Sequence, residues 1–469
     1  MRQPTLALAV LAAALLAACG GSTGGDQSLK VKFSSMVSFG DSLSDVGTYA
    51  VGTIKNAGGG KFTVNGDHTA TNPALNGKNW TELMAKQFSL PPPCAAQTGL
   101  DGDASKGFSV PVVNHPNCLS YAQGGARVTH PVGPEHKLTG SALGLLTVPV
   151  ATQVSNHLAK TGGKFSGTEV VFVTAGGNDA LALLGQMSAE ATAAGQQAGA
   201  AEGARVGNQT FITTLVGFLA SGASNPQAAA QAIGAAVGAE AQRPGSTSET
   251  IVQVAVGTAA VQPGNSAVAQ PAIYGPMVVK AQTTAQAAGA AAGATAGAAA
   301  GAAYAAAKAP SLVVAMGTAG AELAAIVRTR IVANGANYVV VNNLPDLGGA
   351  PASKAQDANT QALINTMVST FNAQLKAGLG SEAKVLYVDL WSVSHDQIIN
   401  PGPYGLTNTS TPACGANILG KASLVCTGAN LISGDVSHYM FADDVLPTPF
   451  ENALIAKYVA EQMLIKGWL

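Results

Sequence analysis

The chain has 469 residues, a net charge of −1, only 10% charged residues, and a 47% hydrophobic share weighted toward alanine. That length exceeds one typical domain, fits a large α/β enzyme carrying an insertion, and is ample for a sizeable core. So few charges, so nearly balanced, exclude nucleic acid as a partner, because phosphate binding needs a basic surface.

In chain order, Arg2 is followed by an apolar run from Leu6 to Ala18 and then by Cys19-Gly20-Gly21. This predicts a targeting segment over 1–18 and a flexible Gly/Ser-rich tether over 19–33. Leu16-Ala17-Ala18-Cys19 resembles a bacterial lipobox, which implies export, lipidation of Cys19 and membrane attachment through that lipid. Without an aspartate at position 20, the implied address is the outer membrane. An ordinary secretory signal peptide with an incidental cysteine is the alternative. The other four cysteines, Cys94, Cys118, Cys414 and Cys426, fall into two close pairs, and export makes disulfides plausible. Sequence alone allows three pairings; 94–118 and 414–426 are favoured. No clustered metal ligands appear, so no metal is expected.

The apolar run Met36 to Phe39 reads as a short buried strand that stops at Gly40-Asp41-Ser42. A helix is predicted over Asn79–Phe88 and ends before Pro91-Pro92-Pro93. Ser120-Tyr121-Ala122-Gln123-Gly124-Gly125-Ala126 follows, with glycines that would leave a backbone N–H unobstructed. Pro149–Ala159 reads as a helix and Glu169–Thr174 as a strand running into Ala175-Gly176-Gly177-Asn178-Asp179. Residues 185–309 are then dominated by Ala, Gly, Gln and Thr, with Gly289, Gly293, Gly297 and Gly301 on one helical stripe. An inserted helical subdomain is favoured there over a linker or a membrane span. The α/β pattern resumes at Leu312, with a helix over Thr318–Ala333, a strand over Asn337–Asn342, a loop over Asn343–Leu347, a helix over Ala355–Leu379 and a strand over Lys384–Asp389. Strands separated by helices imply a parallel sheet.

Gly40-Asp41-Ser42-Leu43, the Gly124-Gly125-Ala126 block, Gly176-Gly177-Asn178-Asp179 and Asp443-Asp444-Val445-Leu446-Pro447-Thr448 occur in the order of the motifs of the SGNH/GDSL hydrolases. The chain resembles that family of serine esterases, lipases and acyltransferases over 34–184 and 310–469. Ser120 stands where the family usually has asparagine. The resemblance implies a three-layer α/β/α sandwich with a five-stranded, parallel, flavodoxin-like sheet. It also implies an ester substrate, no cofactor, and an acyl-serine intermediate on Ser42. The N–H groups of Ser42 and Gly125 and the Asn178 side chain would hold the oxyanion, and Asp443 would orient a histidine three residues on. That position is Leu446. Leucine neither accepts nor returns a proton, so Ser42 lacks its usual base. Asp435-Val436-Ser437-His438 repeats the Asp-x-x-His spacing eight residues earlier, which makes His438 a weaker candidate base; His395 is weaker still. The alternative to an esterase is an inactive lipoprotein of this fold that binds acyl or glycan ligands or a partner protein.

Overall fold

Four parallel strands form the sheet in the computed structural model, which describes residues 30–66 and 73–469. Cys19 and His68 lie outside the described residues. The strands are β1 (Met36–Gly40), β4 (Val170–Thr174), β5 (Tyr338–Asn342) and β6 (Val385–Val388), paired in that order. β2 (Gln97–Asp101) and β3 (Ser109–Asn114) form a separate antiparallel hairpin. In the sheet, Gly40 lies opposite Thr174, Thr174 opposite Asn342, and Asn342 opposite Val388. All four strands therefore end along one edge, where open α/β sheets gather their reactive groups.

The sequence predicts five strands, and the structure corrects this to four. Two segments account for the difference. Leu119–Gln123 does run beside β1: Ser38 N donates to Leu119 O at 3.2 Å, Tyr121 N to Ser38 O at 2.8 Å and Gln123 N to Gly40 O at 3.1 Å. It is held between the Cys118 disulfide and the Gly124-Gly125 turn, and Ser120 forms isolated bridges with Ser38 on one side and Ala95 on the other in place of a regular strand. At Leu312, where the sequence has the α/β pattern resume, a helix, Pro271–Ile326, runs on, and the next strand is β5.

β1 and β4 are buried along their whole length, as expected for strands covered on both faces. On one face Met36, Phe172, Val340 and Leu386 pack with Trp80 and Met84 of the helix Trp80–Gln87 and with Val459 and Met463 of the helix Pro449–Lys466. The first of these helices starts where it does because Asn79 accepts from the Thr81 and Glu82 N–H groups, while the Glu82 carboxylate accepts from Asn79 N. Such a capping box contributes about 1 kcal/mol. On the other face Phe39 stacks on Tyr121, with ring centroids 5.4 Å apart, and meets His157 of the helix Val150–Lys160 edge-on at 5.7 Å.

Leu181–Ala315 form a second compact unit. Its long arms belong to the helices Gly177–Ala220 and Pro271–Ile326. The stripe Gly289, Gly293, Gly297 meets a matching one, Gly203, Gly199, Gly195, on the other arm, running antiparallel. A Cβ at Gly199 would lie 2.7 Å from Gly293 O, so glycine is what permits the backbones to touch. At the far end, the helices Pro226–Ala241 and Ser248–Ala260 close over Leu215, Leu219, Ile233 and Val256. The run Pro271–Val332 is long and apolar enough to cross a membrane, and half of its most apolar window is buried within the protein. Gly199→Val should cost this unit about 1–3 kcal/mol through overpacking. Limited proteolysis would show it as faster cleavage within 181–315; unchanged cleavage would mean that the arms separate without penalty.

Candidate active site

The site begins with a close approach of backbones. Gly40 has φ +152°, and a Cβ there would lie 2.2 Å from Thr174 O, so a side chain at this point would push β1 off β4. The chain then turns. Asp41 N donates to Thr174 O at 3.3 Å, Ser44 N donates to Asp41 O at 3.1 Å, and the Asp41 carboxyl accepts from Leu43 N at 3.1 Å. Aspartate closes a turn in this way by mimicking a backbone carbonyl. Ser42 sits half-buried on the turn, and its hydroxyl has no hydrogen-bond partner among the described residues.

Asp45 fastens this turn to the second block. One of its carboxyl oxygens accepts from Gly47 N at 2.9 Å and Thr48 N at 2.8 Å, and the other accepts from Gly124 N at 3.0 Å. Burial pushes Asp41 up to about 7, aided by the nearby Asp179 and Asp45 carboxylates, and pushes Asp45 up to about 6. Gly125 has φ +80°, and a Cβ on it would meet Thr147 Cγ2 at 2.6 Å and Pro134 O at 2.7 Å. Among the described residues, the N–H groups of Ser42 and Gly125 donate to no protein acceptor.

The third block is tied to the second. Asn178 is buried and its Nδ2 donates to Ala126 O at 2.9 Å, which leaves its second amide hydrogen uncommitted. Asp179 accepts from Arg127 Nε at 2.9 Å and from Val128 N at 3.0 Å. Burial pushes the Asp179 carboxyl up, with Arg127 opposing it.

Two positioning groups were not singled out in the sequence. Arg127 carried a signal, as a lone cation directly after Gly-Gly-Ala in a charge-poor chain. Gln153 carried none, since a buried amide on a helix face has no local signature. Its side chain accepts from Gly40 N at 2.8 Å and donates to Gly40 O at 2.8 Å, clasping the residue from which the Ser42 turn departs.

The fourth block is a turn built on Asp443. One carboxylate oxygen accepts from Val445 N at 3.0 Å and Leu446 N at 2.8 Å, and the other accepts from Ser423 N at 2.9 Å. Leu446 O in turn accepts from Ala442 N at 2.7 Å. Both favoured disulfides, Cys94–Cys118 and Cys414–Cys426, are present. The second braces this turn from behind, since Cys414 N donates to Ala442 O at 2.8 Å. Leu43, Val445 and Pro447 line one apolar cavity, so the residues flanking position 446 lie close to the neighbour of Ser42.

The histidines are occupied elsewhere. The His438 ring packs on Phe450, with centroids 4.3 Å apart. His395 pairs with Asp346 at 2.7 Å and stacks on Trp391 at 4.8 Å. His157 is buried among aromatic rings, and burial pushes it down to about 4, so it is neutral. The structure thus gathers the loops of Ser42, Gly125 and Asn178 at one sheet edge. It sets the Asp443 turn nearby and brings no described histidine into hydrogen-bond contact with Ser42.

No family profile matches the chain. It is similar to the GDSL esterase/lipase APG of Arabidopsis thaliana, 26% identical over 138 residues, covering 27% of this chain and 39% of that protein. A second GDSL esterase/lipase of the same plant is 28% identical over 150 residues, covering 29% of this chain and 41% of the relative. GDSL esterase/lipase 7, also from Arabidopsis thaliana, is 32% identical over 133 residues, covering 26% and 36%. The chain therefore spans about two fifths of the length of these relatives. Several homologues at this modest identity support a place for the chain among the GDSL esterases and lipases.

Proposed function

We propose that this protein is a carboxylic ester hydrolase of the GDSL type, with flavodoxin-like layering, whose Ser42 would attack the ester carbonyl. One observation supports the reading: among the described residues, the backbone N–H groups of Ser42 and Gly125 have no protein acceptor, and the Ser42 hydroxyl, on a tightly held turn, has no hydrogen-bond partner. Those donors and the spare hydrogen of Asn178 suit the oxyanion that forms as the Ser42 oxygen bonds to the carbonyl carbon. Preorganised donors of this kind contribute about 3 kcal/mol each. Collapse of that intermediate expels the alcohol and leaves an acyl-serine, which water then cleaves to the acid. Both steps need a group that takes and returns a proton, and Leu446 occupies the place where it would stand. The native chain is therefore proposed to be a slow hydrolase. Hydrolysis of p-nitrophenyl butyrate by the native chain, Ser42→Ala and Leu446→His tests this; a native rate equal to that of Ser42→Ala would remove the nucleophile from the scheme.

The unengaged Ser42 hydroxyl also favours a second reading, in which the chain binds acyl groups without turnover. In either case we propose export and lipid attachment at Cys19, a reading that the two disulfides support. Labelled palmitate should be incorporated by the wild-type chain and not by Cys19→Ala; incorporation that survives the substitution would refute attachment there.

A further inference from the structure

Beside the Ser42 turn lies an apolar cavity with about 530 Å³ of empty space, its open mouth included. Leu43, Pro345, Met440, Phe441, Val445 and Ile455 supply most of its wall. Four polar side chains also line it: Asp346 and Ser394, which are partnered by Gly349 N, His395, Asp346 N and Trp391 O, and Glu451 and Gln397, which are out of place there. Glu451 is 3% exposed and Gln397 is 2% exposed. One carboxyl oxygen of Glu451 and the amide oxygen of Gln397 are buried with no hydrogen-bond partner among the described residues. A buried polar atom left unpaired costs about 1–3 kcal/mol, and two of them in the wall of one apolar pocket leave room for a partner there.

We propose that this cavity is a specificity subsite for a hydroxyl carried on a short aliphatic chain of the ester, with the hydroxyl accepting from the Glu451 carboxyl and donating to the Gln397 amide oxygen. The inference rests on the ester hydrolase reading. Burial pushes Glu451 up to about 8, so near neutrality the group is a carboxylic acid with an O–H to donate. One donor beside one acceptor complements a hydroxyl, whereas an anion would need two donors and a cation two acceptors. The methylenes of the chain would lie against the Leu43, Phe441 and Ile455 walls.

The hydroxyl could belong to the acid half or the alcohol half of the ester, and paired ligands separate the two. Ligand-observed NMR on the full chain with Ser42→Ala, which prevents turnover, compares methyl 3-hydroxybutyrate with methyl butyrate, and 4-hydroxybutyl acetate with butyl acetate. In one pair the hydroxylated ester should bind about tenfold tighter or more, and that pair identifies the half concerned. Glu451→Leu and Gln397→Leu should each bring the ratio to about one, while Glu451→Gln, which keeps an N–H donor, should retain part of it. Equal affinities within both pairs, or a preference that survives in Glu451→Leu, would overturn the subsite. If Glu451→Leu does not fold, Gln397→Leu decides in the same way. Because NMR reads binding alone, a missing preference is distinguishable from a failure of the esterase reading, which shows only in turnover.

Discussion

Leu446→His is expected to raise kcat/KM for p-nitrophenyl butyrate by about 10²–10⁴-fold, the usual contribution of a positioned general acid–base. The turn is already shaped to hold the new ring. Asp443 fixes the backbone at 445 and 446, and its three recorded N–H bonds leave lone pairs for an imidazole N–H. The restored activity should rise with pH through about 6.5, as the imidazole becomes neutral and able to take the serine proton. It should vanish in Leu446→His combined with Ser42→Ala. A different result would redirect the assignment: if the native chain is already fast and His438→Ala abolishes the activity, the base is His438 and it reaches Ser42 from another register. If Leu446→His gains nothing while Ser42 stays accessible, the site is a binding site.

Glu451→Gln should weaken the loss of stability with rising pH. Burial raises the Glu451 carboxyl from an ordinary 4.5 to about 8 in the folded protein. Between those values the folded chain keeps a proton that the unfolded chain releases. The contribution is thus fully present below about 4.5 and is lost as pH rises through about 8. A neutral amide removes that loss. Urea titrations should show the variant gaining stability over the native chain at pH 8.5, on the order of 4 kcal/mol, and matching or falling below it at pH 4.5. Asp41, held at about 7, and Asp45, at about 6, carry the same sign, so the variant should keep a shallower decline between those pH values. Parallel pH curves for the two proteins would show that Glu451 is already ionised in the fold.

What the sequence revealed was local. The Gly40-Asp41-Ser42 turn and the Asn178-Asp179 pair could be placed because each follows a short, mostly apolar run that is buried along its length. The helix at Trp80 could be placed because its apolar positions recur at helical spacing before Pro91-Pro92-Pro93, and its start falls one residue after the expected Asn79, which caps it. What escaped depended on distant partners. β3 is largely exposed, so no alternation of apolar and polar residues marks it. The glycine stripe from Gly289 was visible, but the stripe it meets, about a hundred residues earlier, became a pattern only once the arms were seen to touch. Glu451 looked like an ordinary acid in the first turn of a helix, and only the fold shows it buried.

The Gln153 clasp has a consequence for how the molecule meets other copies of itself. β1 lies at the margin of the sheet, where unpaired N–H and C=O groups would invite a foreign strand. Ser38 is taken by Leu119 and Tyr121, and Gly40 by Gln123 and the Gln153 amide. One side chain thus finishes what a full fifth strand would have done, and this border is closed to strand addition and to the aggregation that begins there.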